Sequence, residues 1–221
     1  MKAKIATPLL LISLTLASFA QTPDQPSFRT SFSRAERVGE PNARSFFVFQ
    51  VGDRSYAIRH DGHGEITATK FLRWRNFDLR LGAPGRLERL YTAELSGDLL
   101  IAYEVTNGNS GWGYIARLDQ NERTFRWIAP IASLNIGPGV VEDNFAYLSG
   151  QDFVAKIDLR SGKYVWQHND LDKEYGRTFL EFSLPEINGA NVAFYERGSS
   201  SRVIDLEKMT GKILKVEKRV E

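Results

Sequence analysis

From Phe46 onward the chain consists of short stretches of alternating apolar and polar residues. Turn residues interrupt these stretches about every eight to twelve positions, which is the spacing of all-β sandwiches, barrels and propellers. Strands are predicted at 46–51, 56–60, 66–72, 99–105, 114–119, 124–129, 145–148, 153–159, 164–168, 192–196, 202–206 and 213–217. No long segment has the 3.6-residue period of a helix, and residues 86–91 are expected to form a single helical turn at most.

A short phrase recurs along the second half of the chain. Residues 155–166 read AKIDLRSGKYVW, residues 116–127 read ARLDQNERTFRW, and residues 203–213 read VIDLEKMTGKI, taken as the same phrase with two residues added before the glycine. Each predicts a strand, a tight turn and a returning strand. Phrases of this kind, in units of about forty residues with four strands each, describe propeller blades.

The chemistry of the phrase gives each recurring residue type a structural role. An aspartate is expected to accept hydrogen bonds from backbone N–H groups of the turn, and a glycine to supply the positive φ that completes it. A tryptophan on the returning strand is expected to fill the space against a neighbouring unit. The structural repeat residues are Asp119, Asp158, Asp205, Gly162, Gly211, Trp127 and Trp166.

One stretch, residues 137–170, resembles a blade of the quinoprotein-like (PQQ-type) β-propeller repeat. It reads GPGVVEDNFAYLSGQDFVAKIDLRSGKYVWQHND, with an apolar strand pair, an alanine-x-aspartate strand, a Gly-Lys turn and a tryptophan. Residues 187–217 and 116–127 resemble the unit in part, and Lys215 stands where the tryptophan would fall. The resemblance implies a β-propeller-like domain of about four four-stranded meander blades over residues 46–221.

The family's propellers close with more blades than this chain can supply. A small closed ring, an open arc and completion by self-association therefore all remain open. Family enzymes bind a quinone and carry adjacent cysteines beneath it, whereas this chain has no cysteine. No cofactor is therefore expected.

The first twenty residues differ from the rest and have the layout of a secretory signal peptide. Lys2 and Lys4 precede an apolar run at 9–16, and small residues lead to cleavage after Ala20. Residues 21–45 are expected to be a flexible lead-in with one strand near 28–32, and no transmembrane segment is expected after cleavage. The prediction is a periplasmic or secreted protein.

Removing the leader changes the charge balance. The chain has 29 Lys+Arg and 27 Asp+Glu, and the leader holds two of the lysines, which leaves 27 of each sign. No overall basic footprint for nucleic acid remains. Without cysteine, stability has to come from a hydrophobic core, and an exported chain of this kind is typical of the bacterial envelope.

Two segments are candidate binding surfaces. The segment 70–89 interleaves basic and aromatic residues, with Arg73, Trp74, Arg75 and Arg80 as candidates for docking an acidic partner; the alternative is a blade edge protected by charge. The segment 106–113, TNGNSGWG, is expected to be too long for a two-residue hairpin and to raise Trp112 on a flexible tip, or to fold it back onto its own blade.

No catalytic or metal-binding constellation stands out. His60 and His63 lie around a predicted turn and not on one helix face, which indicates a polar turn and no metal site. The predicted function is a non-catalytic, assembly-factor-like or inhibitor-like protein that binds another exported or envelope protein. The alternative is a small carbohydrate- or lipid-active enzyme whose acidic residues converge in a central channel. A third possibility is an unclosed arc that self-associates.

Overall fold

The structure, a computed structural model, describes residues 28–38, 46–51, 54–60, 65–70, 76–80, 86–107, 110–122, 124–198 and 201–218. The described part is nearly all β, with one short helix. It begins with three short strands, β1 (Arg29–Ser31), β2 (Ser33–Arg34) and β3 (Glu36–Val38). We call residues 28–38 the N-terminal segment.

Four antiparallel meanders follow, one for each blade-like sheet. The first sheet is β4 (Phe46–Val51), β5 (Arg54–His60), β6 (Glu65–Lys70) and β7 (Asn76–Arg80). The second is β8 (Arg86–Leu95), β9 (Asp98–Asn107), β10 (Ser110–Asp119) and β11 (Phe125–Ile131). The third is β12 (Val140–Glu142), β13 (Phe145–Gly150), β14 (Phe153–Asp158) and β15 (Lys163–His168). After the helix α1 (Leu171–Tyr175), the fourth is β16 (Glu186–Asn188), β17 (Asn191–Tyr195), β18 (Arg202–Glu207) and β19 (Ile213–Lys218). The predicted fold class is confirmed.

The N-terminal segment pairs with the first strand of three of the four sheets. We call the first strand of each sheet its inner strand. β1 pairs with β12, β2 with β8 and β3 with β4, all antiparallel. The sequence predicted one strand near 28–32 in a flexible lead-in, whereas the described residues form three. Strands of two or three residues are too short to show an alternating pattern. The remaining lead-in residues lie outside the described part of the chain.

Hydrophobic clusters hold successive sheets together. One joins Phe47 of the first sheet to the second sheet, for example Leu87 and Tyr103. Another lies between the second and third sheets, and another between the third and fourth. Within the described residues no hydrophobic cluster joins the fourth sheet to the first, and the four sheets form a propeller-like array.

The expected helical turn at 86–91 is wrong, because these residues belong to the strand β8. A β-bulge explains the misleading pattern. The register shifts between Leu87 and Arg89, so that Glu88 is the extra residue. Leu87 and Leu90 therefore lie in the same buried cluster although they are three positions apart, which is a helical spacing.

Candidate functional site

The turns of the repeat are closed as the sequence predicts in the second and third sheets. The Asp119 carboxylate accepts hydrogen bonds from the N–H groups of Asn121 at 2.8 Å and Glu122 at 3.0 Å. These bonds lower the pKa of Asp119. Asp158 accepts from the N–H of Arg160 at 2.7 Å, and hydrogen bonding to the Arg160 side chain lowers its pKa.

In the fourth sheet Glu207, and not Asp205, occupies this position. The N–H of Gly211 donates to the Glu207 carbonyl at 2.9 Å, as Gly162 donates to Asp158 at 2.8 Å. A bulge follows Lys156 in β14 and Asp205 in β18. Asp205 is therefore the counterpart of Lys156, and no residues are inserted before the glycine.

The repeat tryptophans and glycines contact each other across neighbouring sheets. A Cβ atom on Gly162 would lie 2.6 Å from the Trp127 ring, and one on Gly211 would lie 2.5 Å from the Trp166 ring. Trp127 Nε1 also donates to the Leu159 carbonyl at 2.9 Å. Each tryptophan thus packs on the glycine turn of the next sheet, as an anchor between sheets.

The same turn carbonyls accept a second hydrogen bond from a basic side chain. Arg117 Nη1 donates to Leu159 O at 2.8 Å. At the next interface Trp166 Nε1 and Lys156 Nζ both donate to Lys208 O at 3.0 Å. We call each such pair of donors, one tryptophan and one basic residue, an intersheet latch.

The fourth sheet lacks the latch residues. Lys215 pairs with Asp205 across β18 and β19, where Trp166 pairs with Lys156 in the third sheet. The Lys215 ammonium group lies 2.6 Å from Glu217. The outer face of this sheet is therefore charged, as at the terminal unit of a repeat array.

Trp112 is 41% exposed and lies within β10, where it pairs with Val105 of β9. The prediction of a long flexible tip is wrong, because β9 and β10 pair up to Asn107 and Ser110 with only two residues between them. The neighbouring glycines allow close packing. A Cβ on Gly111 would lie 2.5 Å from Leu134, and one on Gly113 would lie 2.7 Å from the Ser133 carbonyl.

The structure does not describe the side chains of the other candidate binding residues. Arg73, Trp74 and Arg75 lie outside the described residues, and Arg80 is the last residue of β7. His63 also lies outside the described residues, and His60 ends β5. Among the described residues no group of three acidic or histidine side chains is placed to hold a metal ion.

A pocket of about 630 Å³ lies where the N-terminal segment meets the second sheet. It is lined by Arg34, Ala35, Glu36, Arg37, Phe47, Glu88, Arg89, Glu104 and Asn135. Its acidic and basic side chains are mixed. Arg89 lies 2.7 Å from Glu181 and 3.7 Å from Glu104, and it donates to Asn135 at 3.0 Å.

Glu104 is a buried carboxyl group in the lining of this pocket. Burial raises its pKa, while Arg89 and the N–H of Ile136 oppose the rise. A buried carboxyl group with a raised pKa is a common feature of enzyme sites. Here the basic side chain that faces it is Arg89, which it shares with Glu181, so the cluster also joins β8 to the segment before β16.

A groove of about 610 Å³ separates β1 from β16. It is lined by Arg29, Thr30, Ser31, Val140, Leu184, Pro185, Glu186, Ile187 and Asn188. Sequence reasoning missed this groove. Its two walls are strands of only three residues, and only the pairing of β1 with the distant β12 places them side by side.

Comparison with known proteins identifies no family for this chain. No protein-family model matches it, and no curated protein matches its sequence. Among solved structures, the crystal structure of BamB from Moraxella catarrhalis is similar, with a TM-score of 0.49 and 15% sequence identity over 86% of this chain. The match covers 52% of the BamB chain, so this chain spans about half of that protein's length. Within its described residues this chain has no helix long and apolar enough to cross a membrane.

Proposed function

We propose that this protein is a non-catalytic binding protein of the bacterial periplasm or exterior that holds another exported protein. An envelope assembly factor and an inhibitor of an exported protein both fit this role. The observation that carries the proposal is Trp112, a large aromatic side chain that is 41% exposed at the end of a paired hairpin.

The packing of the hairpin backbone supports this use of Trp112. Val105, its cross-strand neighbour, is completely buried, and Gly111 and Gly113 bring the strand against Ser133 and Leu134. An aromatic side chain held in place loses little conformational entropy on binding, and tryptophan is enriched among residues that dominate interfaces. The basic residues Arg73, Arg75 and Arg80 add positive charge that would attract an acidic partner.

The ion pairs of the described carboxylates also favour a binding scaffold over an enzyme. Asp98 contacts Arg117 and Arg126, Glu196 contacts Arg177, and Glu142 contacts both Arg29 and Lys208. These pairs join strands and turns of the sheets to one another. The feature that favours the enzyme alternative is Glu104, with its raised pKa in the pocket between the N-terminal segment and the second sheet.

The test is capture of partners from native periplasm or culture medium by the tagged chain 21–221. Trp112→Ala is compared with Met209→Ala, which removes a 73% exposed apolar side chain from a turn of the fourth sheet. We expect one exported protein to be enriched by the wild type and by Met209→Ala, and lost with Trp112→Ala. Equal capture by all three, or no specific capture, would contradict the proposal and bring the enzyme alternative forward.

A further inference from the structure

The N-terminal segment pairs with some of the inner strands and not with all four. β4, β8 and β12 each pair with one of its short strands. β16 pairs with β17 alone among the described residues. The fourth inner strand therefore has a free edge, and this edge forms one wall of the groove between β1 and β16.

The other wall of the groove is also a free backbone edge. The Phe28 carbonyl accepts from the N–H of Asp143 at 2.8 Å, and the N–H of Phe32 donates to Gly139 O at 2.8 Å. Backbone groups of successive strand residues alternate between the two edges. Arg29 and Ser31 therefore direct their N–H and C=O groups away from β12, towards the groove.

The backbone of β16 has the matching orientation. The Ile187 carbonyl accepts a hydrogen bond from Arg29 Nη1 at 3.3 Å, so it points away from β17. In an antiparallel strand the N–H and C=O of one residue point to the same side. Ile187 thus presents both a donor and an acceptor to the groove.

The third sheet shows what such an edge binds. Ile187 pairs with Val192, which pairs with Leu206 after the bulge of β18. In the third sheet, Val141 pairs with Ala146, which pairs with Ile157, so Val141 is the counterpart of Ile187. On its other side Val141 pairs with Thr30 of β1. Among the described residues no strand fills at Ile187 the position that Thr30 fills at Val141, and the Arg29 side chain donates to the Ile187 carbonyl there.

We propose that the groove binds an extended segment of a partner polypeptide, which adds as a strand to the free edge of β16 beside β1. Strand addition gives affinity through backbone hydrogen bonds and specificity through side-chain contacts. Leu184, 42% exposed, provides an apolar contact at the rim. A volume of about 610 Å³ lies within the range of roughly 300–1,000 Å³ for ligand sites.

Arg29 can release Ile187 without becoming unpaired. Its bond to Glu142 is 2.7 Å long, whereas its bond to the Ile187 carbonyl is 3.3 Å. A partner is favoured over the chain's own residues before Phe28, because Phe28 lies beside Asp143, past the end of β12. A chain leaving there would have to reverse to run along β16. The groove does not include Trp112, so this site goes beyond the proposed function.

The first measurement is amide hydrogen exchange in the full mature chain, residues 21–221. We expect the Ile187 amide to exchange at least about tenfold faster than the Val141 amide, which lies between two paired strands. Equal protection of Ile187 would overturn the proposal, because it would mean that the chain itself covers the edge.

The second measurement uses synthetic dodecapeptides selected from a random library on the same mature chain. Ser31→Trp fills the groove, and Ser33→Trp makes the matched change at an exposed serine on β2. We expect selected peptides to slow exchange of Ile187 and to bind Ser31→Trp about tenfold or more weakly, which corresponds to about 1.4 kcal/mol. Binding to Ser33→Trp should remain unchanged.

Three results would overturn the inference: no peptide is selected, the peptides leave Ile187 unprotected, or the two serine variants bind them alike. The outcome is separate from that of the proposed function. If Trp112→Ala abolishes partner capture while Ser31→Trp has no effect on capture or on peptides, the proposed function stands and the strand-addition site falls.

Discussion

At the scale of single residues, the glycines at the repeat turns are required both by the backbone conformation and by the close packing of a tryptophan. Gly162 has φ +69°, and a Cβ atom there would lie 2.6 Å from the Trp127 ring. The sequence predicted both the turn and the tryptophan, because their spacing repeats. It did not predict that the tryptophan of one sheet lies on the glycine of the next, since the two are 35 positions apart (162 − 127).

The glycine–tryptophan contact can be tested with a matched pair of substitutions. Gly162→Ala should lower the free energy of unfolding by about 1–2 kcal/mol for the left-handed backbone and by a further ~1–3 kcal/mol for overpacking against Trp127. Gly189→Ala should lower the free energy of unfolding only by the backbone contribution, since Gly189 has φ +57° and open space around it. Denaturant unfolding measures both variants. Equal destabilisation would contradict the packing of Trp127 on the turn.

Glu142 gives a pH-dependent prediction at the same scale. Burial favours its protonated form, but hydrogen bonds from Lys208 and Arg29 outweigh burial and lower its pKa below 4.5. Its stabilising contribution is therefore fully present above about pH 4.5 and is lost as the pH falls through the lowered pKa.

The corresponding variant is Glu142→Gln. It should lower the free energy of unfolding at pH 7 by about 1.5–3 kcal/mol, the range for hydrogen bonds to charged groups. The difference from wild type should shrink below pH 4, and denaturant unfolding at both pH values measures it. A pH-independent difference would mean that the carboxylate charge is not what joins β1 and the fourth sheet.

At the scale of elements, the alternating pattern was a good guide to most of the longer strands. The predicted strand 46–51 coincides with β4, and most others differ from the structure by a few residues at their ends. The pattern failed where an element is very short, as in β2 and β16, or contains a bulge, as in β8. The placement of Asp205 failed for a related reason, because matching aspartates by identity ignored the bulge that sets the register.

For the latch between the third and fourth sheets, we expect the effects of two substitutions on the free energy of unfolding to be non-additive. Trp166 and Lys156 donate to the same carbonyl, that of Lys208. Either Trp166→Phe or Lys156→Met alone leaves that carbonyl one donor, whereas the double variant leaves it with neither. We expect a coupling energy of about 1–3 kcal/mol in a double-mutant cycle of unfolding, the cost of an unsatisfied buried acceptor.

The control for this cycle pairs Lys156→Met with Trp127→Phe. Trp127 donates to the Leu159 carbonyl and shares no acceptor with Lys156. These two substitutions should be additive. If both cycles are additive, the shared carbonyl does not couple the two donors.

At the scale of the whole molecule, the repeats in the sequence predicted four sheets but not how the array ends. The array ends on a sheet where Lys215 and Asp205 replace the latch residues. The inner side of the array depends on the N-terminal segment, which pairs with three sheets in turn. The pairings of β1 and β2 connect residues more than fifty positions apart in sequence, as Arg34 with Tyr91, so no local pattern could reveal them.

The central claim, that the N-terminal segment binds the inner strands and so builds the groove, is tested most directly by cross-linking. The chain has no cysteine, so an engineered pair reports a single contact. Arg29 and Glu142 are opposite each other on β1 and β12. They form a non-hydrogen-bonded pair, in which the Cα atoms lie about 4.5 Å apart. This distance lies within the range of Cα–Cα distances that a disulfide bridges.

The measurement is oxidation of the double variant Arg29→Cys, Glu142→Cys, followed by non-reducing electrophoresis and peptide mapping. The account predicts a disulfide within one chain. It predicts none in the control Ser33→Cys, Glu142→Cys, because Ser33 pairs with Thr92 of the second sheet. An Arg29→Cys, Glu142→Cys variant that stays reduced, or links only between chains, would contradict the placement of β1 and with it the groove.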